Sequence, residues 1–262
     1  MKGPTRVGPF CCVGRHKDTM AGEHRPLRVQ LCAITVDHEP MIEFDAVESA
    51  AVARLGGATE LEAALVRPEP PESLAMIGDD RYLSVMCRRI FRAGLTHRLV
   101  DARWPAFEAA FDDFDLESVA ALDEDDLKRL AADERLIRHR KKIFAVRDNA
   151  QAMQTIVDEF GSFGFWLAEW PEDEIVELWA ELKKCFTQLG GNSGPAFLRM
   201  TGKDTFLLTD WVVRAMSEWN FYSGKTNTRS AHADIQALFN TWNEKSGRPY
   251  CQISQILAFS ID

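Results

Sequence analysis

The residues best suited to chemistry lie in a glycine-rich turn at 189–195. Gly190, Gly191 and Gly194 stand between two helical patterns, and Pro195 follows at once. Because glycine has no side chain, backbone N–H groups can converge on an anion there, and the start of the following helix adds the positive end of its dipole. The pattern therefore indicates a phosphate-binding turn. Glycine turns also join helices in many helical proteins, so this spacing alone does not decide the function.

A charged loop follows the short helix that is predicted at 195–200 after this turn. Lys203 and Asp204 open the loop, and Asp210 stands where the next helical pattern begins. Asp210 could cap that helix, act as a catalytic carboxylate, or do both. We expect Asp204 to be structural and Lys203 to be a loop or phosphate-contacting residue.

The elements that position these residues are predicted to be helices, because apolar residues recur at helical spacing and few strand patterns compete. The fold class is therefore all-α, without an internal repeat. Residues 1–40 are rich in glycine and proline and lack this period, so we expect a disordered extension before a helical domain at 41–262. The predicted helices are 41–55, 79–92, 104–111, 116–122, 123–130, 137–160, 172–186, 195–200, 207–219, 231–243 and 251–262.

Charge is unevenly spread along the chain. The 262 residues include 31 Lys+Arg and 40 Asp+Glu, and the net charge of −9 argues against binding to nucleic acid through a uniformly basic surface. The acids concentrate in blocks such as 112–134, whereas 135–147 is basic and without acid. Arg138, Arg140 and Lys141 in that run could contact phosphates together with a second basic run at 88–103, although either run could be a solvated helix face.

The cysteines and the apolar segments limit the class of protein. The six cysteines are scattered without the close pairs of a disulfide framework or a zinc ribbon, so we expect reduced thiols. No apolar stretch approaches the roughly 18 residues that span a bilayer, and the N-terminus lacks a signal peptide's apolar region. These features predict a cytoplasmic protein that does not bind membranes.

Two segments of the chain resemble known DNA repair enzymes. Residues 185–214, with the glycine turn and the run K-D-T-F-L-L-T-D at 203–210, resemble helix-hairpin-helix DNA glycosylases of the broad-specificity alkyl-purine type. The runs A-G-L-T-H at 93–97 and I-R-H-R-K-K-I at 137–143 resemble the DNA-3-methyladenine glycosylase I family. These resemblances imply a two-lobed helical bundle whose hairpin grips a phosphate of double-stranded DNA, with Asp210 as the catalytic carboxylate.

The chain departs from the second family at several positions. The family's base-reading Glu corresponds to Arg88 or Arg89, and His97 replaces its base-stacking Trp. Its zinc ligands have no counterpart, because only Cys251 follows His232, while Cys11, Cys12 and His16 lie in the predicted extension. We therefore predict a divergent member without zinc or any other cofactor.

The glycosylase resemblance implies a base pocket, since the enzyme must flip the damaged base out of the helix. Aromatic walls suit a purine made cationic by alkylation. The candidates are His97, Trp166 and Trp211, with Trp170 as a further possibility, and each Trp could equally be a packing residue. Trp104 and Trp242 are predicted to be core residues.

The leading hypothesis is a monomeric, monofunctional DNA glycosylase that removes alkylated purines such as 3-methyladenine. The alternative is a non-catalytic protein of the same fold that recognises damaged or distorted duplex. Loss of the recognition Glu and the stacking Trp favours this binder, whereas retention of Asp210 favours the enzyme.

Overall fold

A computed structural model of the chain describes residues 44–262. The extension predicted at 1–40, with Cys11, Cys12 and His16, lies outside these residues. Within them every regular element is helical, and short 3-10 turns occupy Asp112–Phe114 and Glu172–Glu174. The α-helices are α1 (Phe44–Leu55), α2 (Ala58–Ala64), α3 (Pro71–Ala75), α4 (Asp79–Arg92), α5 (His97–Ala110), α6 (Leu116–Ala120), α7 (Glu124–Ala132), α8 (Arg140–Phe160), α9 (Phe163–Ala168), α10 (Ile175–Cys185), α11 (Ser193–Thr201), α12 (Asp210–Glu218), α13 (Arg229–Ser246) and α14 (Tyr250–Phe259). The all-α prediction is confirmed.

The helices form two lobes. In the first, α8 packs on α4, α6 and α7, while α9 packs on α3 and α4. In the second, α14 packs on α1, α12 and α13. The pair α10–α11 links the two, because α11 packs on α4 and α10 packs on α13. This pair, joined by residues 186–192, is the helix-hairpin-helix motif.

Aromatic side chains fill much of the core. Trp104 stacks on Phe107 and Phe114, at centroid distances of 4.9 and 5.5 Å. Trp242 packs edge-on against Phe239 at 5.2 Å, and both indoles are 5% exposed. The core positions predicted for Trp104 and Trp242 are therefore confirmed.

The sequence pattern missed three short helices. No predicted helix covers residues 56–78, but Pro71 begins α3, where its missing N–H costs nothing. The six residues of α9 are almost uniformly apolar, so they carry no amphipathic period. The third, α2, spans seven residues, which is too short for a pattern to be clear. Helix α5 also begins at His97, earlier than the predicted Trp104.

A buried lysine links the A-G-L-T-H segment at 93–97 to the I-R-H-R-K-K-I segment at 137–143. Lys142, in the first turn of α8, is 7% exposed and donates to the backbone carbonyls of Phe91 and Ala93, at 3.3 and 2.6 Å. These carbonyls stand at the C-terminal end of α4, where a cation also interacts favourably with the helix dipole. Lys142 therefore fixes the A-G-L-T-H turn against the start of α8.

Candidate functional site

The hairpin between α10 and α11 presents unpaired backbone donors. Gly191 adopts a left-handed conformation with φ 57°, which glycine reaches without strain. Ser193 donates its backbone N–H to the Gly190 carbonyl and closes the turn. Within residues 44–262, the N–H groups of Gly191, Asn192 and Gly194 have no hydrogen-bond acceptor. Gly191 and Asn192 are exposed, whereas Gly194 is a buried residue in the first turn of α11. These groups, at the start of a nine-residue helix, are suited to binding an anion.

The first lobe holds the hairpin in place through α8. The Thr187 N–H donates to the Asn149 Oδ1 at 2.7 Å, and the Asn149 amide donates back to the Thr187 carbonyl at 3.2 Å. Gln188 donates to the Lys141 carbonyl at 3.2 Å. The hairpin therefore lies beside the N-terminal turn of α8.

The residues that lead into α8 and begin it are basic. Arg138, Arg140 and Lys141 are exposed, and the first turn contains no acid. Arg138 approaches the exposed Glu134 at 3.7 Å, and Arg140 lies 5.0 Å from the Phe144 ring centroid. Because cations are unfavourable at the positive end of a helix dipole, this cluster gains from a nearby anion. The structure thus brings the basic segment and the hairpin together.

Most arginines of the second basic run are paired with other groups of the chain. Asp101 accepts hydrogen bonds from Arg88 and Arg92, at 2.9 and 2.7 Å. These bonds and the neighbouring positive charges hold the pKa of Asp101 below its ordinary value. Arg103 donates to the carbonyls of Glu134 and Arg135. The expectation that the 88–103 run adds an open basic surface is therefore not met at these three arginines.

Asp210 is the first residue of α12. Thr209, and not Asp210, is the N-cap, since its hydroxyl accepts the Val212 N–H at 3.3 Å. The exposed Asp210 carboxylate has no hydrogen-bond or ion-pair partner within the described part of the chain. The side chain of Asn192 donates to the Leu208 carbonyl at 3.0 Å and so ties the hairpin to the segment that carries Asp210.

Lys203 is not at the surface. Its side chain is 1% exposed, and its ammonium donates to the Trp170 carbonyl and approaches Glu172 at 3.2 Å. A DNA phosphate cannot reach this group, so the prediction of phosphate contact was wrong for Lys203. The sequence identified a loop lysine, but burial depends on carbonyl and carboxylate partners some thirty residues earlier in the chain.

Asp204 is structural, as expected. Its two carboxylate oxygens accept the backbone N–H groups of Tyr250 and Cys251, at 2.9 and 2.8 Å, and so cap α14. Burial raises the pKa of Asp204, against the opposing effect of those donors and of Arg199. The loop that leads to Asp210 is thereby fastened to the second lobe.

The three predicted base-pocket residues do not form one pocket. Trp166 is fully buried and packs on Phe163 and Trp170, at 5.1 and 6.0 Å, so the prediction of a pocket wall was wrong for this residue. Trp170, at 8% exposed, is likewise a packing residue. Trp211 is 53% exposed beside Asp210, with the Arg214 guanidinium 5.8 Å from its ring. His97 is exposed at the start of α5, after the turn that Lys142 fixes.

An open cleft of about 1030 Å³ adjoins the hairpin and Asp210. Val176, Leu208 and Val213 line it together with the hairpin residues Gly191 and Asn192. Two further residues on its wall were not predicted: Lys183 near the end of α10 and His232 in α13. Neither belongs to a motif, and only the folding of α10 and α13 around the hairpin brings them there.

His232 is held against the indole of Trp179, at a centroid distance of 5.5 Å and an interplanar angle of 85°. Burial lowers the pKa of His232, and the charge of Lys183 lowers it further, against a hydrogen bond to the Thr226 backbone. Among the described residues no group of His, Cys, Asp and Glu could hold a metal ion. In the same range, no helix has the length and apolar character needed to cross a membrane.

Comparisons with known proteins agree with the resemblance in the first lobe. The methyladenine glycosylase family model matches residues 74–190. DNA-3-methyladenine glycosylase 1 of Escherichia coli (strain K12) is 38% identical over 72 residues, or 28% of this chain and 38% of that protein. The alignment thus spans well under half of this curated relative.

Solved structures of DNA glycosylases are also similar. 3-Methyladenine DNA glycosylase I from Staphylococcus aureus is 25% identical with a TM-score of 0.46, over 55% of this chain and 85% of that one. The 8-oxoguanine glycosylase/lyase of Methanocaldococcus jannaschii, solved with DNA, is 14% identical with a TM-score of 0.46, over 71% of this chain and 83% of that one. The part of the chain that matches the methyladenine glycosylase family model, residues 74–190, contains both the A-G-L-T-H and the I-R-H-R-K-K-I segments.

Proposed function

We propose that this chain is a monofunctional DNA glycosylase that hydrolyses the N-glycosidic bond of alkylated purines such as 3-methyladenine. The observation that carries the proposal is the unpartnered carboxylate of Asp210, joined through Leu208 and Asn192 to a hairpin with unpaired N–H groups. A carboxylate with no structural partner is available for chemistry, and the hairpin offers a phosphate site next to it.

Double-stranded DNA would be held at its backbone. The N–H groups of Gly191, Asn192 and Gly194 bind one phosphate, and Arg138, Arg140 and Lys141 contact the strand nearby. Gly190 allows the backbone to approach, because it has no side chain. Such contacts fix the position of the duplex and carry no sequence or lesion preference.

The chemistry follows from where charge develops. When the bond between the sugar carbon C1′ and the base nitrogen breaks, its electron pair leaves with the base and positive charge grows on the sugar. The Asp210 carboxylate stabilises this oxocarbenium-like state, orients a water for attack on C1′ and accepts its proton. An alkylated purine is already cationic, so its bond is the weaker one.

The base must leave the helix before this step. Trp211 is the exposed aromatic residue next to Asp210, and we assign it to stacking on the extrahelical base. His97 is a second candidate contact from the first lobe. Trp166 and Lys203 take no part, because both are buried.

A hydrolytic rather than a lyase reaction agrees with the position of Lys203. A lyase needs an accessible amine that forms a Schiff base with the sugar. The Lys203 ammonium is enclosed and hydrogen-bonded, so it cannot reach C1′. Trapping of a covalent DNA adduct by borohydride would contradict this assignment.

The function is tested with duplexes that carry 3-methyladenine, 7-methylguanine, hypoxanthine or uracil. Native protein should release an alkylated purine, and Asp210→Asn should release little while it still binds the duplex. Equal release by both proteins would remove Asp210 from the mechanism. Binding without release of any base would favour the non-catalytic alternative. Arg88 or Arg89 in place of the family's recognition Glu, and His97 in place of its stacking Trp, also point to that alternative.

A further inference from the structure

Lys183 lies directly beneath the hairpin. A Cβ atom built on Gly190 would lie 3.7–3.8 Å from the Cγ, Cδ and Cε atoms of Lys183, which is ordinary van der Waals contact. The aliphatic stem of the lysine therefore follows the hairpin backbone. A charged head on a stem held in this way loses little rotamer freedom when it binds.

The Lys183 ammonium has no ion-pair or hydrogen-bond partner among residues 44–262. The neighbouring Lys184 differs, since it pairs with Glu181 one turn earlier at 3.2 Å. Lys183 instead lines the cleft together with Gly191, Asn192 and Asp210. Its charge is felt there, because it contributes to the lowered pKa of His232.

We propose that Lys183 binds the same DNA phosphate as the hairpin N–H groups and supplies the full positive charge that those groups lack. The proposal rests on the DNA-binding function proposed above and adds a residue to it. Backbone N–H groups provide direction and partial charge, whereas a lysine provides a strongly hydrated point charge that suits phosphate. Lys183 thus takes the role that the sequence suggested for the buried Lys203.

The test measures how DNA affinity depends on salt. Each phosphate contact made by a cation contributes about 0.9 to the slope of log K against log salt for duplex DNA. Lys183→Met keeps the aliphatic stem beneath Gly190 and removes only the charge. We expect the slope to become shallower by about 0.9 and the Kd for an undamaged duplex to rise about 8-fold at 0.1 M salt.

Two further variants separate this role from its alternatives. Lys184→Met removes the same charge from the same helix and should change the slope by clearly less, while Lys183→Arg should keep most of the native slope. Urea unfolding of Lys183→Met should match the native protein, because its stem still packs on the hairpin. An unchanged slope in Lys183→Met, or an equal change in Lys184→Met, would overturn the assignment.

The outcomes also distinguish this inference from the proposed function. If the native protein binds duplex with a measurable salt slope and Lys183→Met does not alter it, only the role of Lys183 fails. If the native protein binds no duplex at any salt concentration, the DNA-binding function fails and the role of Lys183 fails with it.

Discussion

Asp204 lies in the loop that leads to α12 and Asp210 is the first residue of that helix, and replacing each by Asn should have opposite consequences. The Asp210 carboxylate has no partner in the described structure, so Asp210→Asn removes only its favourable interaction with the α12 dipole. That interaction contributes about 0.3–1 kcal/mol at an exposed site. Asp204→Asn leaves one of the N–H groups of Tyr250 and Cys251 without an acceptor, at a cost of about 1–3 kcal/mol in unfolding free energy.

Base release should be slowed strongly by Asp210→Asn and little by Asp204→Asn, which is the reverse of their effects on stability. A carboxylate about 4 Å from a developing unit charge stabilises it by about 4 kcal/mol at an effective dielectric constant of about 20, which DNA covering the site would provide. Since about 1.4 kcal/mol corresponds to tenfold in rate, Asp210→Asn should slow the chemical step about 10³-fold. Asp204→Asn should retain near-native rates below its unfolding transition.

Single-turnover release of alkylated purines and urea unfolding of the same protein samples give both quantities. Release of base by Asp210→Asn at the native rate would exclude Asp210 from the chemical step. If Asp210→Asn destabilised the fold as much as Asp204→Asn does, Asp210 would have a structural partner and its carboxylate would not be free for chemistry. Saturating protein concentrations keep any change in DNA affinity out of the comparison.

Three other predictions follow from the contacts described above. Gly194→Val should weaken duplex binding at least tenfold without altering lesion preference, which competition binding with several lesions would check. The reason is that a Cβ at this position would lie 3.0 Å from the Leu189 carbonyl oxygen and distort the hairpin. Lys142→Met should lower the unfolding free energy by about 1–3 kcal/mol in urea titrations, since two carbonyls at the end of α4 lose their donor. Because the pKa of His232 is lowered in the folded protein, the unfolded chain takes up a proton at this residue at a higher pH than the folded chain does. Stability should therefore decrease as the pH falls below about 6.5, and His232→Phe should reduce this pH dependence.

Each of these has a contrary outcome. Changed lesion preference in Gly194→Val at native affinity would mean that the hairpin reads the base. Native stability of Lys142→Met would show that the carbonyls find another donor. If His232→Phe and the native protein lose stability in parallel as the pH falls below about 6.5, the titration belongs to another group.

Local sequence signals determined a large part of the fold. Apolar spacing predicted most of the helices, and the glycine turn with its following proline predicted the hairpin, because helix period and turn conformation depend on neighbouring residues. Short helices escaped, since α2, α3 and α9 are too brief or too uniformly apolar to show a period. The role of Asp204 as a structural residue was also foreseen, although its partners in α14 were not.

The tertiary structure alone decided which polar and aromatic residues face outward. Lys203 and Lys183 look alike in the sequence, yet one is enclosed by a carbonyl from the α9–α10 connection and the other lies unpaired beneath the hairpin. Trp166 and Trp211 differ in the same way, one buried and one exposed. Burial and pairing depend on groups distant in the chain, which only the packing of the two lobes brings together. Local sequence thus determined the helices and the hairpin, whereas the packing decided which side chains are accessible at the surface.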